Sequence, residues 1–171
     1  MSASDQTAID LLSNHAQGQE LPATVPIVFN NGVETKQGAP QGEFNRAKLL
    51  EVEIEVENLD GSPEAGDFLD IFIQHSNNLN KDDSWDDLIA FPQLTEAAFG
   101  GGAGIKVIKA YVNSYLDPGN AVDIHTVTDM ALTPDTVRNV MIGKWLRVRA
   151  KSTSGTAINM KINRCEASYK E

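Results

Sequence analysis

An all-β fold, an antiparallel β-sandwich, is what this sequence predicts, on three observations. Lys48–Asn58 sets Leu50, Val52, Ile54 and Val56 in strict alternation with Glu51, Glu53, Glu55 and Glu57. Lys144–Lys151 alternates Leu146, Val148 and Ala150 with Arg147, Arg149 and Lys151. A third strand-like run, Thr156–Tyr169, follows across Ser152-Thr153-Ser154-Gly155, whose glycine and small hydroxyl residues suit a turn. Successive side chains of a strand point to opposite faces, so each alternating run has one buried face and one wet face. The last two runs are expected to pair as a C-terminal hairpin. The carboxylates of Lys48–Asn58 repel one another unless basic side chains lie opposite, and Arg147, Arg149 and Lys151 are the expected partners on an adjacent strand.

The remaining elements follow in chain order. Residues 1–45 read as an N-terminal arm, with Pro22, Pro26, Gly32, Gly38, Pro40 and Gly42 spaced by polar residues. Within it, Asp5–Ala16 carries a weak helical pattern with Ile9, Leu12 and Ala16 on one face. Val25–Phe29 reads either as part of a floppy leader, as an edge strand laid on the main domain, or as part of an arm that orders on docking to a neighbour. The sandwich domain spans 46–171. After the turn Leu59-Asp60-Gly61-Ser62-Pro63, the run Phe68–His75 has Leu69, Ile71 and Ile73 on one face and Phe72 on the other, which suits a central strand. A polar loop leads to Trp85, Leu88, Ile89 and Phe91. Gly100–Gly104 forms a hinge or tight connection, and Ile105–Val112 and Ala121–Thr128 read as strands. Thr133-Pro134-Asp135 has the cap and first-turn proline of a short helix ending before Gly143.

Composition narrows the function classes. The chain has 171 residues, enough for one domain with a real core, and a formal charge of -10. That balance argues against general nucleic-acid binding, which needs clustered Lys and Arg on phosphate. The acidity is uneven: from Arg138 onward eight basic residues face only Glu166 and Glu171. The single cysteine, Cys165, excludes an internal disulfide and disfavours a thiolate zinc site. No apolar run is long enough to span a membrane. Met1–Asp5 lacks the basic and apolar pattern of a secretory signal, so synthesis in a reducing cytoplasm is expected.

Candidate chemistry is sparse. The cluster Asp82-Asp83-Ser84-Trp85-Asp86-Asp87, preceded by Asn77, Asn78 and Asn80, is dense in oxygen ligands but fails the spacing of a calcium loop; it reads as a surface loop. His75 and His125 fall on predicted strands, and only Asp123 stands beside His125 at a spacing that shares a face. Ser76 beside His75 and the lone Cys165 lack the partners of a nucleophilic site. The glycines at 100–104 precede no phosphate-binding Gly-Lys-Ser/Thr. No catalytic residue, cofactor or metal site is expected, and Cys165 reads as a buried small residue.

Certain segments, taken in order, resemble a known group. A strand such as Ala47–Val52 leads to Asp70-Ile71-Phe72-Ile73-Gln74-His75-Ser76, then Ser84-Trp85-Asp86-Asp87-Leu88-Ile89-Ala90-Phe91. Near the end come Gly143-Lys144-Trp145-Leu146-Arg147-Val148-Arg149 and Ser152-Thr153-Ser154-Gly155-Thr156. Over residues 46–169 this order resembles small structural proteins of tailed bacteriophages, among them capsid decoration (cement) proteins and some tail-associated proteins. The resemblance implies a jelly-roll-like sandwich with Trp85 and Trp145 plugging its core. It also implies a non-enzymatic virion protein on the capsid surface, assembled in the host cytoplasm, whose partners are the major capsid protein shell and further copies of itself as a homotrimer. The arm residues Ile9, Leu12, Val25, Ile27 and Phe29 are the candidate shell or neighbour contacts. The alternative is a carbohydrate-binding β-sandwich module of a tail or adhesion structure. Aromatics at 6 % of the chain leave few rings to stack on sugars.

Overall fold

The computed structural model describes residues 8–12, 26–29, 33–59, 67–80, 84–114, 132–153 and 159–171. Among these residues eleven strands form two antiparallel sheets. The strands are β1 (Ile9–Asp10), β2 (Ile27–Phe29), β3 (Glu34–Gln37), β4 (Gln41–Gly42), β5 (Leu49–Asn58), β6 (Phe68–Ser76), β7 (Asp86–Ala90), β8 (Gly104–Asn113), β9 (Thr136–Val137), β10 (Trp145–Thr153) and β11 (Met160–Lys170). The first sheet runs β1-β11-β5-β8, with β2 also on β11; the second runs β3-β10-β6-β7-β9, with β4 also on β10. β2 and β1 lie end to end along one edge of β11, against Met160–Ile162 and Glu166–Ala167. β4 and β3 do the same along β10. Apart from the β6–β7 connection, the long strands alternate between sheets along the chain. With each end-to-end pair counted once, and the two-residue β9 an addition at one edge, this is the strand order of a jelly roll.

Binary patterning explains the core. Leu50, Val52, Ile54 and Val56 of β5 are fully buried and, with Ile162, Cys165 and Ala167 of β11, face Leu69, Ile71 and Ile73 of β6 and Leu146, Val148 and Ala150 of β10. Phe72 lies on the other side of the central strand β6 and is half-buried. β1 to β4 supply edge strands to both sheets, and Leu11, Leu12, Ile27 and Phe29 are buried in the same core.

Three expectations are corrected. β10 and β11 are not a hairpin: β10 pairs with β6, β3 and β4, whereas β11 pairs with β5, β1 and β2. An alternating pattern assigns faces within a strand and leaves its neighbour open. The described part of Asp5–Ala16 is not helical. Ile9–Asp10 extend along β11, the Leu11 amide donates to the Cys165 carbonyl at 2.8 Å, and Asp10 accepts from the Leu12 amide at 2.8 Å. A helix this short is marginal in water, while a strand edge offers ready backbone partners. The helix expected from Thr133 is replaced by a bend and β9. Asp135 adopts φ 62, a left-handed conformation that ends a right-handed helix, and Thr136–Val137 then pair with Ala90 and Ile89. A 3-10 turn spans Glu96–Phe99. The predicted strand Ala121–Thr128 lies outside the described residues.

Glycine allows close packing at Gly42 and Gly143, as it does at Gly38. A Cβ on Gly42 would meet the Trp145 ring at 2.1 Å, and one on Gly143 would meet the Ser76 backbone at 2.8 Å. Gly100 and Gly101, at φ 70 and 81, make the tight connection that feeds β8.

Candidate functional site

The outer face of the second sheet carries a closed polar cluster. Alternation along β6 and β10 turns Gln74 and Arg147 away from the core, and the register sets them opposite each other. On the other side, Gln74 stands opposite Asp87 of β7. A register shift between Ile73 and Gln74 leaves Leu88 as an extra residue there. Arg147 Nε donates to Gln74 Oε1 at 2.9 Å, and Gln74 Nε2 donates to Asp87 Oδ1 at 2.8 Å. The second oxygen of Asp87 accepts from the Leu132 amide at 3.1 Å. Trp85 covers the guanidinium, its ring centre 4.3 Å from Arg147 Cζ. All four residues are buried.

This cluster unites one residue or more from three segments singled out in the sequence: the Ile-Gln end of β6, Trp-Asp-Asp at the start of β7, and Trp-Leu-Arg at the start of β10. Its chemistry is positional. The Gln74 amide bridges a cation and an anion, and these bonds tie β6, β7 and β10 to one another. The tryptophans therefore do not plug the inter-sheet core. Trp85 lies over Arg147, and Trp145 is half-buried against Gly42, with Lys144 Nζ 5.2 Å from its ring centre. Both indoles follow the outward side of their strands, where cationic side chains offer π contacts.

The outer face of the first sheet carries the glutamates of β5. Their partners come from β8 and β11, not from Arg147, Arg149 and Lys151, which lie in the other sheet. Lys109 Nζ reaches Glu53 at 2.7 Å and Glu51 at 3.1 Å, and Lys161 Nζ reaches Glu57 at 3.0 Å. Arg164 pairs with Glu53 and, through its other nitrogen, with Glu166 at 3.0 Å. A register shift between Ile162 and Arg164 makes Asn163 an extra residue, and its amide donates to Glu57 at 2.9 Å. The Lys109 hydrogen bond holds the Glu53 carboxyl below its ordinary range, and Asn163 and Lys161 do the same for Glu57. Strongly ionised, cross-linked carboxylates suit a rigid charged face better than proton transfer.

The remaining candidates resolve individually. His75 Nδ1 accepts from the Gly143 amide at 2.9 Å, and the Ser76 hydroxyl binds Asn78 and Ser84 in the neighbouring loop, so the two do not form a nucleophile and base. Cys165 is fully buried, and burial pushes its thiol well above the ordinary value. Among the described residues no three His, Cys, Asp or Glu side chains are grouped to hold a metal ion. Asp82, Asp83, His15, Asp123 and His125 lie outside the described residues. Of the arm candidates, Leu12, Ile27 and Phe29 are buried in the chain's own core, Ile9 is half-buried on β11, and Val25 lies outside the described residues.

Sequence reasoning missed the outer side of β8. Ile105, Val107 and Tyr111 are 62 %, 49 % and 55 % exposed beside the glutamates, and Val137 of β9 and Met141 after it are also exposed. The signal was present: β8 is apolar at both parities, Ile105, Val107 and Tyr111 against Ile108, Ala110 and Val112. No protein-family model and no curated protein matches the chain.

Proposed function

We propose that this chain is a non-enzymatic structural protein of a phage particle, one that decorates the capsid and stabilises it. The observation that carries the reading is the convergence of the three resembling segments into the closed cluster of Gln74, Trp85, Asp87 and Arg147. Residues that form the resemblance are bonded to one another and tie β6, β7 and β10 together, as a scaffold requires and a reaction centre does not. The rigid ionic face and the apolar margin of β8 supply surface for meeting another protein. In mechanism, copies attach where shell subunits meet and bury surface across the joints. Binding to the assembled shell stabilises it by mass action against internal pressure from packed DNA. Homo-oligomerisation on the shell is part of the proposal. The sugar-binding alternative rests on Tyr111, the one aromatic ring among the strongly exposed large apolar side chains described.

Immunogold electron microscopy of particles from the source, with antibody against this protein, tests the reading. Label spread over the heads supports it. Label confined to tails transfers the assignment to an adhesion module, and particles without label overturn a virion role.

A further inference from the structure

We propose that β8 is the contact between two copies of this chain, joined edge to edge about a two-fold axis so that their first sheets become one continuous sheet. The proposal stands apart from the capsid reading, since it concerns what this edge binds wherever the protein resides.

Among the described residues β8 is an open edge over most of its length; at its last residue the Asn113 amide donates to Asn139 Oδ1 at 3.0 Å. β8 pairs with β5 through all ten of its residues, from Gly104 opposite Asn58 to Asn113 opposite Leu49, and no described strand pairs with its other side. Stable monomers blunt such an edge with short length, proline, a bulge or free lysines. β8 is long, contains no proline and shows no register shift against β5. Its two lysines are turned to their own chain: Lys106 Nζ donates to the Ala98 carbonyl at 3.3 Å, and Lys109 is held between Glu51 and Glu53. On the outer face of this edge strand Ile105, Val107 and Tyr111 are exposed. An open, unbroken, apolar edge strand is a template for strand addition.

The sequence of β8 selects a second copy as the occupant. In an antiparallel pair centred on Ile108, residues whose numbers mirror about that centre lie opposite each other. Ile105 then faces Tyr111 of the second copy, Val107 faces Lys109, Lys106 faces Ala110, and Ile108 faces itself. Nearly the whole strand overlaps in this register. Moving the centre to Lys106 or Lys109 would set a lysine directly against its own copy, which like-charge repulsion disfavours. β8 carries no acidic side chain, so the excess negative charge of the chain is not concentrated on the joint. In this register Val107 lies between Glu55 of its own chain and Lys109 of the second copy, so no like charges are set directly opposite each other across the joint. Ten strand residues per copy give a contact near the lower end of stable interfaces, about 1,000 Å² in total, so a reversible dimer is expected.

Sedimentation equilibrium or light scattering on the full chain, from about 1 to 100 μM, tests this. The expected result is a concentration-dependent rise toward twice the 18.6 kDa of one chain. Val107→Lys places lysine opposite the partner's Lys109 twice per dimer and should weaken association at least about tenfold. Ile105→Lys should do the same, which guards against a folding defect in one variant. Val28→Lys, on β2 at the other side of the sheet, should leave association unchanged. Amide exchange along β8 should slow as dimer forms. A single-chain mass at every concentration, a three-chain mass, or a dimer indifferent to both β8 substitutions would overturn the proposal. So would β8 amides already protected in a monomer, which would mean that the chain covers this edge itself.

Discussion

Replacing Gln74 by leucine removes the bridge of the polar cluster and leaves its two ends in place. The side chain is 4 % exposed and links Arg147 Nε at 2.9 Å to Asp87 Oδ1 at 2.8 Å. Hydrogen bonds to charged groups contribute about 1.5–3 kcal/mol each, and loss of the bridge leaves both charges short of a partner. Asp87 keeps its bond from the Leu132 amide and Arg147 keeps the Trp85 ring, which limits the damage. Leucine is of similar size and costs little by shape. The expected loss is therefore about 3 kcal/mol, or roughly 6–12 °C in Tm for a chain of this length. Urea unfolding followed by tryptophan fluorescence reads it, with Trp85 as an internal reporter. Asp87→Ala in the leucine background should cost less than in the wild type, because the bond between them is already gone. A loss below about 1 kcal/mol, or strict additivity of the two changes, would refute the idea that these residues act as one unit.

The other expectations concern the core and the ionic face. Phe29→Ala should cost about 3–5 kcal/mol in chemical denaturation, because Phe29 is fully buried in the shared core; a surface-like change within 0.5 kcal/mol, the range about usual for exposed sites, would remove β2 from the folding unit. Glu53 and Glu57 have carboxyls held below their ordinary 4.5, so their contribution is present above that value and disappears as pH falls through the folded-state pKa. Acid titration of stability should therefore fall below about pH 4.5 with a shallower slope in Glu53→Gln, and added salt should flatten it in both proteins. Cys165 should resist a thiol reagent in the native protein at neutral pH and react at the rate of global unfolding, as its full burial and raised pKa require; rapid native labelling would contradict the core.

Much of this molecule was legible in the chain because strand alternation is a local property. The comb of Lys48–Asn58 became β5 with its apolar side chains buried, and Lys144–Lys151 became β10 with Leu146, Val148 and Ala150 in the core. Local signals were weaker where an element lacked a sustained period. The capped start at Thr133 and the faint helical face near Ile9 both gave way to strand edges, because backbone pairing with an existing sheet outcompetes a short isolated helix.

Strand neighbours were decided only by the tertiary structure. A period of two says which side chains share a face and nothing about which strand lies alongside. Hence Arg147 meets Gln74 and Trp85 rather than the glutamates, and Lys109, Lys161 and Arg164 meet the glutamates instead. The candidate site divides the same way. Residue types and segments were visible in order along the chain, but their convergence needed β6, β7 and β10 to be adjacent. The exposed side of β8 needed the sheet to end there. By itself the sequence determined the β class, the buried faces, the acidic surface and the inert cysteine, since each follows from residue type and local spacing. The sandwich order, the polar cluster and the open edge depend on contacts between residues far apart in the chain, and only the closing of the two sheets settles those.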